Sequence, residues 1–292
     1  MTHASVFSGI GGPEVAATML GWENLFHCEI NPFGRKVLDY WYPNSKSYED
    51  ITTTDFTEWR GRVDVLTGGF PCQPFSYAGR RRGAEDDRYL WPSMYRAIDE
   101  IQPTWVVAEN VAGILTMVEQ GEVSKVAGTA SLFDALDDLR GRYELRETFT
   151  LQRICTDLES HGYAVQPVLV PACAVGAPHR RDRVFIVARR VTADTEIHRH
   201  EYSMEARTGR YGLADIYQRE GTEYQVGERW AQFPSVSPVH RGNDGLPFDV
   251  DRLTLSFGKW RTEALKAYGN AIVPQVMYEI FRAIEIVEHQ QS

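Results

Sequence analysis

Six short apolar runs constrain the fold of this chain more than any other feature: HASVF (3–7), NLFHCEI (24–30), VDVLT (63–67), TWVVAEN (104–110), YAVQPVLV (163–170) and VFIVARR (184–190). Runs this short, bounded by Gly, Pro and Asn, read as strands buried on both faces. Segments with helical spacing separate most of them, as in PFGRKVLDYWYP (32–43) and TLQRICTDLESHGY (150–163). Strands alternating with helices every ~25–40 residues predict an α/β fold with a mainly parallel, Rossmann-like sheet covered by helices on both faces. Residues 191–260 break this grammar, being rich in Gly, Pro, Tyr, His and Arg with few periodic apolar runs. They are expected to form a small second domain. Helical spacing returns at 261–289, where Val273, Val276, Met277, Ile280, Phe281, Ile284 and Val287 form one apolar stripe that packs back on the first domain. The domains are therefore 1–190 plus 261–292, and 191–260.

The strand ends carry the chemistry. HASVF runs into SGIGGPE (8–14), a glycine turn leading into a helix with Pro13 in its first turn. Such a turn lets a ligand approach the backbone at a helix N-terminus. It is not the dinucleotide fingerprint, because GxGxxG counted from Gly9 requires glycine where Glu14 stands. Glu29 ends the second run about 20 residues later, a placement suited to ribose hydroxyls. VDVLT leads into GGFPCQPFS (68–76), where two glycines and two prolines force a tight turn that presents Cys72. TWVVAEN ends in Glu109 and Asn110. Singly, each has an ordinary alternative: Pro-Cys is a common turn, Glu29 and Asp50 cap turns, and strand-end acids and arginines are often solvated.

The net charge of −9 provides no basic field, so nucleic-acid binding would depend on local clusters such as RRR (80–82), HRRDR (179–183) and HRH (198–200). Cys28, Cys72, Cys155 and Cys173 lie far apart without CxxC spacing, which predicts reduced thiols and no structural zinc. No apolar run reaches membrane-spanning length, and a Gly/Pro-rich turn stands where a signal peptide would. A cytoplasmic, metal-free protein is expected.

The ordered motifs resemble the S-adenosylmethionine-dependent DNA (cytosine-5)-methyltransferases. FSGIGG (7–12) is similar to the family's first motif, with Ser8 for the usual Ala. Glu29 matches the ribose acid, Asp50-Ile51 the adenine pair, GGFPCQPFS the nucleophile loop and ENV (109–111) the acid motif. HRRDR matches QxRxR with His179 for Gln, and GNAIVPQV (269–276) the last motif. An Arg-Glu-containing motif expected before the final helix is missing, with RLTL (252–255) as its candidate remnant, and the recognition region is short.

The resemblance implies these roles. Cys72 adds to C6 of a flipped cytosine, Glu109 acts at N3, and Arg181 and Arg183 bind O2 and hold the loop. Phe7, Gly9, Gly12, Glu29, Ile30, Asp50, Ile51, Pro71, Leu90 and Asn270 bind S-adenosylmethionine, with S-adenosylhomocysteine as product. Gln73, Ser76, Arg80, Arg81, Arg82 and Arg241 contact double-stranded DNA, although the RRR run reads equally as a solubilising loop. The function implied is a monomeric DNA cytosine methyltransferase of the restriction–modification type, with residues 191–260 as its target recognition domain. RNA is the alternative substrate, disfavoured because Ser76 stands where the RNA-modifying branch carries Thr. A silent DNA-binding relative is disfavoured by intact Cys72, Glu109 and Arg183.

Overall fold

The computed structural model describes residues 1–71, 90–119, 123–125, 143–145, 148–191 and 257–290. Strand β1 (Thr2–Val6) leads through the glycine turn to helix α1 (Gly12–Met19), followed by β2 (Glu23–Cys28) and α2 (Pro32–Trp41). Next come β3 (Lys46–Tyr48), β4 (Val65–Gly68), α3 (Trp91–Ile101) and β5 (Trp105–Val111). Helix α4 (Thr150–Ser160), β6 (Tyr163–Pro171) and β7 (Asp182–Arg190) complete the sheet region. Helices α5 (Phe257–Asn270) and α6 (Pro274–His289) end it. Of the expected small domain, residues 192–256 lie outside the described residues, and 257–260 belong to α5. Two short ladders, 118–119 with 148–149 and 123–125 with 143–145, stand between β5 and α4.

The seven strands form one sheet in the order β6-β7-β5-β4-β1-β2-β3. The pairs from β5 through β3 are parallel, whereas β7 runs antiparallel to both β5 and β6. The reversal has a local cause. A parallel return needs a long crossover, but only residues 172–181 join β6 to β7, and they are spent on a 3-10 turn ending at Gly176 (φ 82°) and the chain into β7. The rest of the sheet is doubly wound. From β1 the chain moves outward to β2 and β3, then returns to β4 and β5 on the other side. The switch point lies between β1 and β4, where open α/β sheets bind ligands beyond the strands' carboxyl ends.

The period of two along each strand separates two cores. Leu66 and Val106 face a cluster with Phe26, Phe56, Trp91, Met94 and Ile154, covered by α3 and α4. Their neighbours Val65 and Val107 face the opposite side, against Ala16 of α1, Trp22 after it, and Met277, Phe281 and Ile284 of α6. This is the sheet with helices on both faces that the apolar runs predict. Six of the seven residues in the predicted C-terminal stripe belong to α6, Val273 caps it, and Val276, Met277, Phe281 and Ile284 are buried. The helical segment is broken rather than continuous. Pro274 has no N–H to give and occupies the first turn of α6, so α5 stops at Asn270 and residues 271–273 form the joint.

Gly12 locks α1 onto that joint. A Cβ built there would lie 2.3 Å from the carbonyl oxygen of Ile272. Gly12→Ala is therefore expected to destabilise the fold by about 1–3 kcal/mol through forced separation of backbone from backbone. Denaturant unfolding checks it; wild-type stability would mean that the joint gives way freely.

Candidate active site

A cleft of ≈ 650 Å³ opens at the switch point, lined from β1, β2, β4, β5, the loop after β3 and helix α5. Its floor comes from a sharp turn. Phe7 takes φ 54° and Gly9 φ 60°, so the chain leaves β1 abruptly and directs the Gly9 amide to Glu29 Oε2 at 2.7 Å. Asn31 N–H donates to Glu29 Oε1 at 2.7 Å, so both carboxylate oxygens are oriented by backbone. Burial pushes the Glu29 pKa up, while these two amides and Arg35 pull it down. Arg35, on α2, donates to the carbonyls of Glu29 and Ile30 at 3.0 and 3.1 Å and pairs with Glu49 at 3.2 Å.

The next wall is the turn at 50–54. Asp50 Oδ1 accepts from Thr52 N and Thr52 Oγ1 at 2.8 and 2.7 Å, bonds that hold its pKa below the usual carboxylate value. Arg96 of α3 fastens this turn from behind, donating to the carbonyls of Ile51 and Thr54. The helix that follows the Cys72 loop thus holds the turn carrying Asp50 and Ile51.

The third wall is polar and buried. Glu109 and Asn110, at the end of β5, are 8% and 3% exposed. Asn110 Nδ2 donates to the Phe70 carbonyl at 2.9 Å, and its Oδ1 accepts from Val111 N at 2.9 Å. That bond anchors the backbone two residues before Cys72. Arg183 Nε lies 2.8 Å from Glu109 Oε1. A Cβ on Gly69 would lie 3.3 Å from Glu109 Oε2, so this glycine keeps the second oxygen's side of the cleft open. Burial raises the Glu109 pKa, outweighing the opposing pull of Arg183 and Arg181. The site combines a carboxyl group biased toward its neutral form with a guanidinium beside it.

Residues 1–134 and 140–236 match the family described as C-5 cytosine-specific DNA methylase. The chain belongs to that family. Its relatives include the type II methyltransferase M.Eco47II of Escherichia coli, 35% identical over 192 residues, a match covering 65% of this chain and 39% of that protein. The type II methyltransferase M.PspPI of Psychrobacter sp. (strain TA137) is 44% identical over 111 residues, covering 37% of this chain and 27% of the relative. M.AluI of Cellulosimicrobium cellulans is 31% identical over 282 residues, covering 89% of this chain and 49% of the relative. The chain spans less than half the length of each of these three relatives.

For this methylase-family chain, the structure brings nine of the ten expected cofactor residues into the cleft: Phe7, Gly9, Glu29, Ile30, Asp50, Ile51, Pro71, Leu90 and Asn270. Gly12 does not line it and serves the α1 joint instead. Glu109 and Arg183 share the cleft, whereas Arg181 does not. The two arginines look equivalent on alternate strand positions, but β7 begins at Asp182, and Arg181 precedes it at φ 37°. Its guanidinium donates to the carbonyls of Gly269 and Ala271 at 2.8 Å each, which ties the end of α5, where Asn270 stands, and the joint after it to the start of β7. Cys72, Gln73, Ser76, Arg80, Arg81, Arg82 and Arg241 lie outside the described residues.

Residues that sequence reasoning missed also line the cleft, among them Gly34 and Lys266. Gly34 is needed because a Cβ would lie 2.5 Å from the Gly9 carbonyl and 3.0 Å from Glu29 Cγ. Lys266 was findable: it stands one helical turn before Asn270 on α5, and i, i+4 positions share a face. Among the described residues, no group of three or more His, Cys, Asp and Glu is arranged to hold a metal ion. No described helix is long and apolar enough to cross a membrane.

Proposed function

We propose that this protein methylates C5 of cytosine in duplex DNA, using S-adenosylmethionine and transient covalent addition of Cys72 to C6. The observation that carries this reading is the buried Glu109–Arg183 pair, 2.8 Å apart, in the same cleft as Glu29 and Asp50. The type II methyltransferase relatives support it.

The cleft suits the cofactor's functional groups. Glu29, oriented by two amides, offers its remaining lone pairs to ribose hydroxyls, and Asp50-Ile51 stands where the adenine edge would lie. Gly34 and Gly69 keep space that side chains would fill. S-adenosylmethionine supplies an electrophilic methyl group bonded to a sulfonium sulfur.

Cytosine C5 is too weak a nucleophile to take that methyl unaided. A thiolate of Cys72 adding at C6 places electron density on C5 and negative charge on N3 and O2. Glu109 in its neutral form donates a proton at N3, and Arg183 stabilises the charge at O2. Arg181 acts through the joint it holds, keeping Asn270 at the cofactor. After methyl transfer, loss of the C5 proton and expulsion of Cys72 restore the aromatic ring. A base within a duplex cannot reach this cleft, so the cytosine must leave the stack, with Gln73, Ser76 and Arg80–Arg82 following the backbone or filling the space. Residues 191–260 then supply target recognition, Arg241 included, on a catalytic body of 1–190 and 261–292. The protein is monomeric and cytoplasmic.

Methyl transfer from labelled S-adenosylmethionine, assayed side by side on duplex DNA and transfer RNA, tests this reading. Label is expected in DNA at cytosine C5, with bisulfite sequencing giving position and context. Label confined to RNA would replace the DNA assignment.

A further inference from the structure

The mechanism leaves one buried acid unused. Glu14 in α1 is 0% exposed, and its Oε2 has no hydrogen-bond partner among the described residues. Its Oε1 is hydrogen-bonded to Ser5 Oγ, and Ser5 Oγ to Ser8 Oγ. Ser8 Oγ is also within reach of both polar atoms of the Cys28 backbone: 3.3 Å from the carbonyl oxygen and 3.2 Å from N. The chain ends where the cofactor cleft begins. Ser8 lies between Phe7 and Gly9, and Cys28 precedes Glu29, all four of which line the cleft.

We propose that Glu14 is a positioning residue for the cofactor: its protonation state sets the direction of the hydrogen-bond chain Glu14–Ser5–Ser8–Cys28, and thereby the affinity of the cleft. With Glu14 neutral, every proton has one consistent direction. The Glu14 hydroxyl donates to Ser5, Ser5 donates to Ser8, and Ser8 donates to the Cys28 carbonyl. An ionised Glu14 can only accept, so Ser5 turns toward it and Ser8 turns toward Ser5. The Cys28 carbonyl then loses the Ser8 hydroxyl, and the turn carrying Phe7 and Gly9 is held less firmly against the strand end carrying Glu29. Ionisation would also leave Oε2 an unpartnered buried anion.

Burial raises Glu14 to about 7, against the pull of Ser5, Ser8 and its own backbone. The groups facing it do not imitate its effect. Glu29 adds to the upward shift, but ionised Glu29 strengthens its ribose bonds, so its titration changes affinity in the opposite direction. Tyr42, near the end of α2, is pushed further up from its ordinary value and stays neutral. His3, linked through Asn24 to the Glu14 backbone, is lowered to about 4 and is also neutral near pH 7.

This inference rests on the cofactor reading, and S-adenosylhomocysteine binding by calorimetry on the full chain tests the two separately. Between about pH 6 and pH 8.5, wild-type affinity is expected to weaken about three- to tenfold, the worth of one hydrogen bond. Glu14→Gln, whose amide donates to Ser5 at every pH, is expected to keep the tight affinity without that fall. Ser8→Ala cuts the chain and is expected to bind weakly and equally across the range. A wild-type affinity that does not fall, or a fall that persists in Glu14→Gln or Ser8→Ala, overturns the proposal while leaving the cofactor reading standing. Absence of wild-type binding at every pH overturns both.

Discussion

Replacing Cys72 with alanine is expected to lower methyl transfer by more than about 10⁴-fold while leaving S-adenosylhomocysteine affinity unchanged. The separation follows from where the parts lie. The cofactor cleft is built from the turn after β1, the end of β2, the turn at 50–54 and α5, none of which depends on the thiol. The loop's approach is held at Phe70 by Asn110, ahead of the substituted position. On the proposed route nothing then adds at C6, and C5 does not become nucleophilic. Single-turnover methylation and calorimetry on the same preparation make the comparison. Wild-type methylation by Cys72→Ala would rule out the covalent route.

Glu109→Gln is expected to reduce kcat by about 10²–10⁴-fold, the range for losing a positioned general acid, with little change in cofactor affinity. The amide keeps the shape of the carboxyl group but cannot transfer a proton to N3. Here the pH dependence carries the information. Burial holds the folded-state pKa of Glu109 above its ordinary value despite Arg183, so the neutral acid persists above the normal carboxylate range and is lost as pH rises through that folded value. Wild-type kcat should fall along that limb, and the residual kcat of Glu109→Gln should not. The stability linkage has the same sign. A raised carboxyl pKa contributes stability that is full below the unfolded value and lost as pH rises through the folded one. A variant with wild-type kcat and the same falling limb would remove Glu109 from the proton transfer.

Much of this was legible along the chain because it is local. Six apolar runs mark the six longer strands, Pro13 marks a helix start, and Gly162 (φ 80°) marks the end of α4 where the amphipathic pattern stops. The residues lining the cleft were legible for a related reason. A ligand beyond the strand ends of a doubly wound sheet meets whatever follows each strand, so Gly9, Glu29 and Glu109 could be picked from strand boundaries and family order. Arg181 and Arg183 show where this fails. A spacing of two means one face only inside a strand, and the start of β7 between them sends one guanidinium to Glu109 and the other to the 269–271 joint.

Period, turn chemistry and motif order therefore determine the α/β class, the family and the identities of the groups at the cleft, since each depends on neighbours a few residues away. Three other features depend on contacts that only the folded chain makes. They are the Gly12–Ile272 contact, the neutral bias of buried Glu109, and the burial of Glu14 behind Ser5 and Ser8. Glu14 shows the difference most clearly: in the sequence it is the residue that breaks a dinucleotide fingerprint, and in the fold it is a desolvated acid joined to the cofactor turn.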